Sequence, residues 1–243
     1  MDINILLSKL LEESGANLII SNPEDLSRLQ QNGLELDNPV PLTQEEYIDK
    51  LFEAKKCAAL ESIKAIPSFP DVRIPMIGLL YKEIIECVLF GLSGAAITLS
   101  AVLVEIALKL AIVKARYGNE YKCDEWDRIE RIELGPVIKE AKQLGILNDS
   151  TEKQFLDFKN QIRNPYLHYN IKALTKGVRA EKVKKLNLKT QEIEEVQLQS
   201  EADPILWPYA KKFVDNKRLN KVLGFACYAV KLLHEKSKKQ DTS

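Results

Sequence analysis

Arg163 and His168 stand five positions apart within residues 155–171, FLDFKNQIRNPYLHYNI, and His168 is one of only two histidines in the 243-residue chain. An arginine is a permanent cation that matches phosphate oxygens, and an imidazole exchanges protons near neutral pH. Brought together, two such groups suit phosphodiester chemistry, so the question is what the backbone does between them. Phe155, Phe158 and Ile162 recur at helical spacing and Thr151-x-x-Gln154 matches a capping box, which predicts a helix from about Glu152 toward Arg163. Pro165 disfavours helical geometry at Asn164 and lacks an amide hydrogen, whereas Asn is a preferred N-cap and Pro a preferred first helical residue. A second helix is therefore expected to begin with Asn164 as its N-cap. Arg163 would then lie just outside that helix and His168 fourth inside it, the two positions that touch in a hydrophobic staple. On an uninterrupted helix five residues would set the pair about 140° apart. The new helix start would also offer free amides and the positive end of a macrodipole to an anion. The competing reading is that Arg163 caps the carbonyls ending the first helix and His168 is a half-buried packing residue.

The rest of the chain must position that stretch. Its length suits one decorated domain or two small ones, and 45% hydrophobic content is enough for a core. The formal net charge is zero, yet bases outnumber acids from Lys172 onward and acids outnumber bases before it. That basic third reads equally as a solvated face and as a nucleic-acid surface. Cys57, Cys87, Cys123 and Cys227 show no C-x-x-C pair and no metal-ligand spacing with histidine, so they read as reduced structural thiols with no metal site. No charged segment followed by a short apolar one opens the chain, which makes the cytoplasm the expected location.

Ile3, Leu6, Leu7, Leu10 and Leu11 predict a first amphipathic helix, and Asn22-Pro23 a short second one. Thr43-x-x-Glu46 is a capping-box signature opening a long helix that runs to the Pro67/Pro70 break. Residues 87–104, CVLFGLSGAAITLSAVLV, carry no charge over eighteen positions, a length that reaches the threshold for a membrane span. A span is rejected because Glu86 and Glu105 bound the run tightly and small residues dilute it; a central buried helix is expected instead, in which Gly91 and Gly94 either bend the chain or permit close packing. Leu134, Val137, Ile138, Ala141 and Leu144 give the next helical stripe, opened by Gly135-Pro136 and closed by Gly145. Apolar residues alternating with charges on both sides of Thr190-Gln191 predict a β-hairpin. A last helical stripe through Leu219, Val222, Leu223, Ala226, Val230 and Leu233 should pack back on the core. His234, near the end of that helix, is read as an exposed cation favoured by the dipole and receives no catalytic role.

Three segments in this order, LSAVLVEIALKLAI, LGPVIKEAKQLGIL and FLDFKNQIRNPYLHY, resemble the HEPN superfamily of helical domains, many of whose members are ribonucleases. The likeness covers residues 89–169. The superfamily's catalytic motif is an Arg, usually followed by a polar residue, with a His four to six positions on; here it reads Arg163-Asn164-Pro165-Tyr166-Leu167-His168. HEPN toxins paired with nucleotidyltransferase antitoxins carry a Tyr two residues after the His. In this chain Tyr169 follows His168 directly and Asn170 occupies the Tyr position, so the resemblance points to another branch, such as phage-defence or abortive-infection proteins.

The resemblance implies a mainly α fold, an antiparallel HEPN-like helical bundle in residues 71–175. Around it would lie an N-terminal helical region (1–70), an inserted β-hairpin (176–203) and a C-terminal helix (204–243) packed back on the bundle. It also implies a metal-independent endoribonuclease without a cofactor. His168 would take the proton of an RNA 2′-hydroxyl, and Arg163 would stabilise charge on the phosphorane, leaving 2′,3′-cyclic phosphate and 5′-hydroxyl ends. One chain offers one suitable histidine, so a C2 homodimer with a composite site is expected. Asn164 belongs to the motif, Glu105 would orient Arg163 by a charge-assisted bond, and Tyr166 and Tyr169 are candidates either to stack on bases or to pack. RNA, tRNA included, is the expected partner, with a regulatory protein as a further one and no membrane. The alternative is a non-catalytic HEPN-like module that dimerises or binds a nucleotide or protein, with Arg163 and His168 only holding the helix junction.

Overall fold

The computed structural model describes residues 43–70, 74–118, 123–186 and 193–235. In chain order these form α1 (Gln44–Ala65), α2 (Pro75–Leu89), α3 (Ser93–Tyr117), α4 (Cys123–Glu130), α5 (Leu134–Gln143) and α6 (Asp149–Phe158). A π-helical turn (Lys159–Arg163) joins α6 to α7 (Asn164–Leu167); then come α8 (Ile171–Thr175), a two-stranded antiparallel sheet of β1 (Arg179–Leu186) and β2 (Ile193–Gln199), a 3₁₀ turn (Pro204–Leu206) and α9 (Trp207–Glu235). The protein is mainly helical, as its periodicity predicts. The chain divides into two compact units, residues 1–58 with 184–195, and residues 59–183 with 196–243. The second unit holds the core and every candidate site residue. The two helices expected before residue 43 lie outside the described residues.

The centre of the second unit is α3. Ala96, Ile97, Ala101, Leu103, Val104, Ala107, Leu108, Ala111 and Ile112 are all buried, too many positions for a single stripe. A helix apolar on most sides belongs inside a bundle, and α3 is packed by α2, α5 and, most extensively, α9. Both α3 and α9 present many alanines, among them Ala96, Ala107, Ala226 and Ala229, and small side chains let helix axes approach closely. By length and composition α3 could cross a membrane, but 67% of its most apolar window is buried inside the fold. Its apolarity is therefore matched by protein neighbours. A second contact layer comes from Phe225 on α9, whose ring meets Phe155 edge-on at 5.0 Å and stacks on Phe158 at 4.6 Å, docking α6.

The run 87–104 is not one bent helix. α2 ends at Leu89 and α3 starts at Ser93, with Gly91 at φ 70° between them. Gly91 donates to the Val88 carbonyl and Leu92 to the Cys87 carbonyl, the paired bonds of a Schellman turn, which needs a left-handed residue and so favours glycine. An apolar composition shows burial but does not show a reversal, which here rests on one glycine. α5 closes the same way at Gly145, φ 65°, as its sequence predicts. The Thr43/Glu46 capping box forms, each backbone amide donating to the other residue's side chain.

The hairpin is tied to the helical unit at its base. Ser200, fully buried, donates through Oγ to the Thr175 carbonyl and through its amide to the Val178 carbonyl at 3.0 Å. Trp207 Nε1 donates to the Ser200 carbonyl at 2.6 Å. At the far end of α3, Arg116 and Arg128 alternate with Glu125 and Glu140 in a ring of ion pairs between 2.6 and 3.3 Å that joins α3, α4 and α5. The hydrogen bonds from Arg128 hold the Glu125 carboxyl below its ordinary value.

Two outcomes test this packing. Phe155→Ala removes a fully buried ring and should lower the unfolding free energy by about 3–5 kcal/mol in chemical denaturation. Because folding depresses the Glu125 pKa, its contribution is present above the unfolded value near 4.5 and is lost as pH falls through the lower folded value. Thermal melts should therefore show stability dropping below pH 4.5, with a shallower drop in Glu125→Gln.

Candidate functional site

The helix carrying the motif starts three residues earlier than expected and does not break where expected. Asn148, not Thr151, is the N-cap of α6: its Oδ1 accepts from the Thr151 amide at 2.9 Å and Thr151 Oγ1 accepts from the Asn148 amide at 2.8 Å. Thr151 is thus the far member of a capping box rather than its first. At the other end Asn164 is helical, φ −66° and ψ −47°, and its amide donates five residues back to the Lys159 carbonyl. The chain passes through Pro165 without stopping. In an α-helix the proline ring collides with the carbonyl four residues before it and leaves that carbonyl unbonded. One turn widened to the i→i+5 pattern gives the ring room, and π-turns of this kind recur at functional sites. The expected Asn164 N-cap is therefore overturned, and with it the helix start whose free amides would have received an anion.

Arg163, the last residue of the π-turn, is a quarter or less exposed and points to α3. Its Nε and Nη2 donate to Glu105 Oε2 at 3.2 and 3.1 Å, and its Nη1 donates to Asn164 Oδ1 at 3.1 Å. Glu105 Oε1 is met by Lys109 Nζ at 2.9 Å, and Lys109 also donates to the Glu130 carbonyl at 2.9 Å, satisfying the C-terminal end of α4. Lys109 is the more deeply buried cation, its side chain 7% exposed. One carboxylate thus lies between two cations, which leaves a surplus positive charge in an apolar setting. Three of the five guanidinium N–H donors are engaged, and two have no partner among the described residues.

Tyr166 turns the other way. It is buried, and its hydroxyl donates to Asp215 Oδ1 on α9 at 2.6 Å. Asp215 Oδ2 accepts from Lys211 Nζ at 2.6 Å, and Ser93 Oγ donates to Asn216 Oδ1 at 2.8 Å beside it. Burial and the Asp215 carboxylate push the Tyr166 hydroxyl pKa upward, with Arg218 opposing them. Gly94 makes room for this cluster, since a Cβ there would lie 2.7 Å from both Asp215 Oδ2 and Lys211 Nζ. The motif helix is in this way pinned between α3 and α9.

His168 ends α7 and is exposed, with no side-chain partner among the described residues. Tyr169 follows at φ 46°, also exposed, with Lys211 Nζ 5.6 Å from its ring centroid. The structure thus brings together Glu105, Arg163 and Asn164, sends Tyr166 to Asp215 and sets Tyr169 beside Lys211. It leaves His168 open to solvent, not bonded to Arg163.

Comparison of the chain with protein-family models, curated proteins and solved structures finds no significant match. Sequence reasoning passed over Lys109 although a signal existed: Glu105 and Lys109 are charges four apart inside an otherwise apolar helix, the spacing of a helical ion pair. Lys211 and Asp215 carry no comparable signal, because they sit in a helix already rich in charge. Among the described residues, no three His, Cys, Asp or Glu side chains cluster.

Glu105→Ala would leave Arg163 and Lys109 facing each other with no anion between them. With side chains only 7–20% exposed, this should lower the unfolding free energy by about 2–4 kcal/mol. Glu105→Ala combined with Lys109→Met should recover part of that loss, as a double-mutant cycle by chemical denaturation would show.

Proposed function

We propose that this chain is a HEPN-type endoribonuclease that cleaves RNA without a metal ion. The observation that carries the proposal is an arginine oriented by a buried carboxylate, followed five residues later on the same short helical segment by a solvent-facing imidazole. An arginine held by a carboxylate is fixed in place, and its two uncommitted donors remain for phosphoryl oxygens. A histidine whose ring has no partner is open to a substrate. Placing a carboxylate and two cations in an apolar bundle requires desolvating all three, a cost that mutual pairing must offset.

In the proposed reaction neutral His168 accepts the proton of a 2′-hydroxyl, the 2′-oxygen attacks phosphorus, and the bond to the 5′-oxygen breaks. Arg163 stabilises the charge that develops on the phosphoryl oxygens. The leaving 5′-oxygen takes its proton from a second imidazole, the His168 of a second copy related by C2 symmetry. The products are 2′,3′-cyclic phosphate and 5′-hydroxyl ends. Loss of the expected helix start places the anion-stabilising role on Arg163 alone. The proposal extends to a cytoplasmic, phage-defence setting, with RNA, tRNA included, as substrate and a regulatory protein as a further partner.

The second reading, a non-catalytic HEPN-like module, is favoured by one observation: three guanidinium nitrogens of Arg163 already have protein partners. In that case Arg163 holds the helix junction and nothing more.

Incubating the purified protein with total tRNA and a long single-stranded RNA in excess EDTA separates the two. Cleavage leaving cyclic-phosphate ends is expected, with rates reduced by about 10²-fold or more in His168→Ala and in Arg163→Ala, both checked for folding by circular dichroism. A folded dimer that cuts neither RNA would support the module.

A further inference from the structure

We propose that Tyr169 is the stacking platform for an unpaired nucleobase of the strand cleaved at Arg163 and His168, an inference that rests on the ribonuclease reading. Three helices of this chain end in the same turn. After α2, Gly91 donates to Val88 and Leu92 to Cys87; after α5, Gly145 donates to Lys142 and Ile146 to Ala141; after α7, Tyr169 donates to Tyr166 and Asn170 to Pro165. Each turn has its left-handed residue at the same position, with φ of 70°, 65° and 46°. The first two use glycine, the residue that adopts this conformation without steric cost. The third uses tyrosine, the only non-glycine residue with positive φ among those described.

Burial does not repay that choice. Tyr169 is 65% exposed, whereas Tyr166, three residues before it, is 5% exposed and has its hydroxyl committed to Asp215. Of the two tyrosines flanking the motif, Tyr166 is therefore the anchor and Tyr169 the ring left in solvent. Its position is nonetheless defined. Lys211 Nζ lies 5.6 Å from the Tyr169 centroid and 5.3 Å from that of Tyr166, and is itself fixed by Asp215 at 2.6 Å. A strained backbone, an exposed aromatic and a cation fixed beside it make a defined π surface on the residue that follows His168. Strained conformations persist where function retains them, and a flat π surface next to a phosphate-handling site fits a base that is free of a duplex.

The test measures two properties of the same variants. In a His168→Ala background that prevents cleavage, fluorescence anisotropy reads binding of a labelled single-stranded RNA, the same RNA as a duplex, and an abasic strand of equal length. Tyr169→Gly should weaken single-strand binding by about 10-fold and leave duplex and abasic binding unchanged. The same variant should melt about 2 °C higher, because glycine relieves the turn. Tyr169→Phe should retain single-strand binding within about 2-fold, keeping the ring. Unchanged single-strand binding by Tyr169→Gly, or an equal loss on the abasic strand, would overturn the platform while leaving the ribonuclease reading intact. A lowered melting temperature with unchanged binding would assign Tyr169 to stability instead. A parent protein that neither binds nor, with His168 restored, cuts any of these RNAs removes the ribonuclease reading itself.

Discussion

A carboxylate in the middle of the central buried helix of a bundle is a constraint on everything around it. Glu105 is largely removed from water, and a desolvated charge is tolerated only when its partners replace the lost hydration. Lys109 supplies one partner from the next turn of the same helix and Arg163 supplies the other from the motif. The cations have obligations in turn: Lys109 reaches the end of α4 and Arg163 reaches Asn164. One buried charge thus fixes how α3, α4 and the motif segment sit. The same network leaves one positive charge in excess five residues before the exposed imidazole, so the arginine that serves the packing is also the one the proposed chemistry would use.

Most of the architecture was legible in the sequence because it depends on short-range patterns. The long helix after Thr43, the stripe ending at Gly145, the two strands on either side of residues 187–192 and the last helix all follow from periodicity and from caps. Glu105 as the partner of Arg163 was expected partly from the family resemblance, since an acid in an apolar run needs a cation but nothing in the run says which one, and Lys109 meets the same carboxylate. The division of labour between Tyr166 and Tyr169 was not. Both are tyrosines near the same motif and near Lys211, and only the fold decides which one is buried and which one is left in solvent.

Two errors share a cause. Treating residues 87–104 as one helix and Asn164-Pro165 as a helix boundary both relied on local preference for glycine and proline. In the first case a glycine that can bend a helix instead ended it, because α2 and α3 pack against each other and require a reversal. In the second a proline that usually ends a helix was accommodated, because Tyr166 and Pro165 are buried and the segment is held on both sides by Arg163–Glu105 and Tyr166–Asp215. Tertiary contacts worth several kcal/mol outweigh preferences worth about one to three.

The widened turn before Pro165 amounts to one surplus residue stored in a helix. A residue so stored can in principle be passed along, each neighbour taking up the wide hydrogen bond in turn, and each step rotates the intervening segment by about 100°. Here the surplus has nowhere to go: moving it C-terminally would bring Pro165 back against a carbonyl, and moving it N-terminally would rotate Arg163 away from Glu105. The proline thus works as a register stop, fixing the angular phase between the arginine that faces α3 and the tyrosine that faces α9.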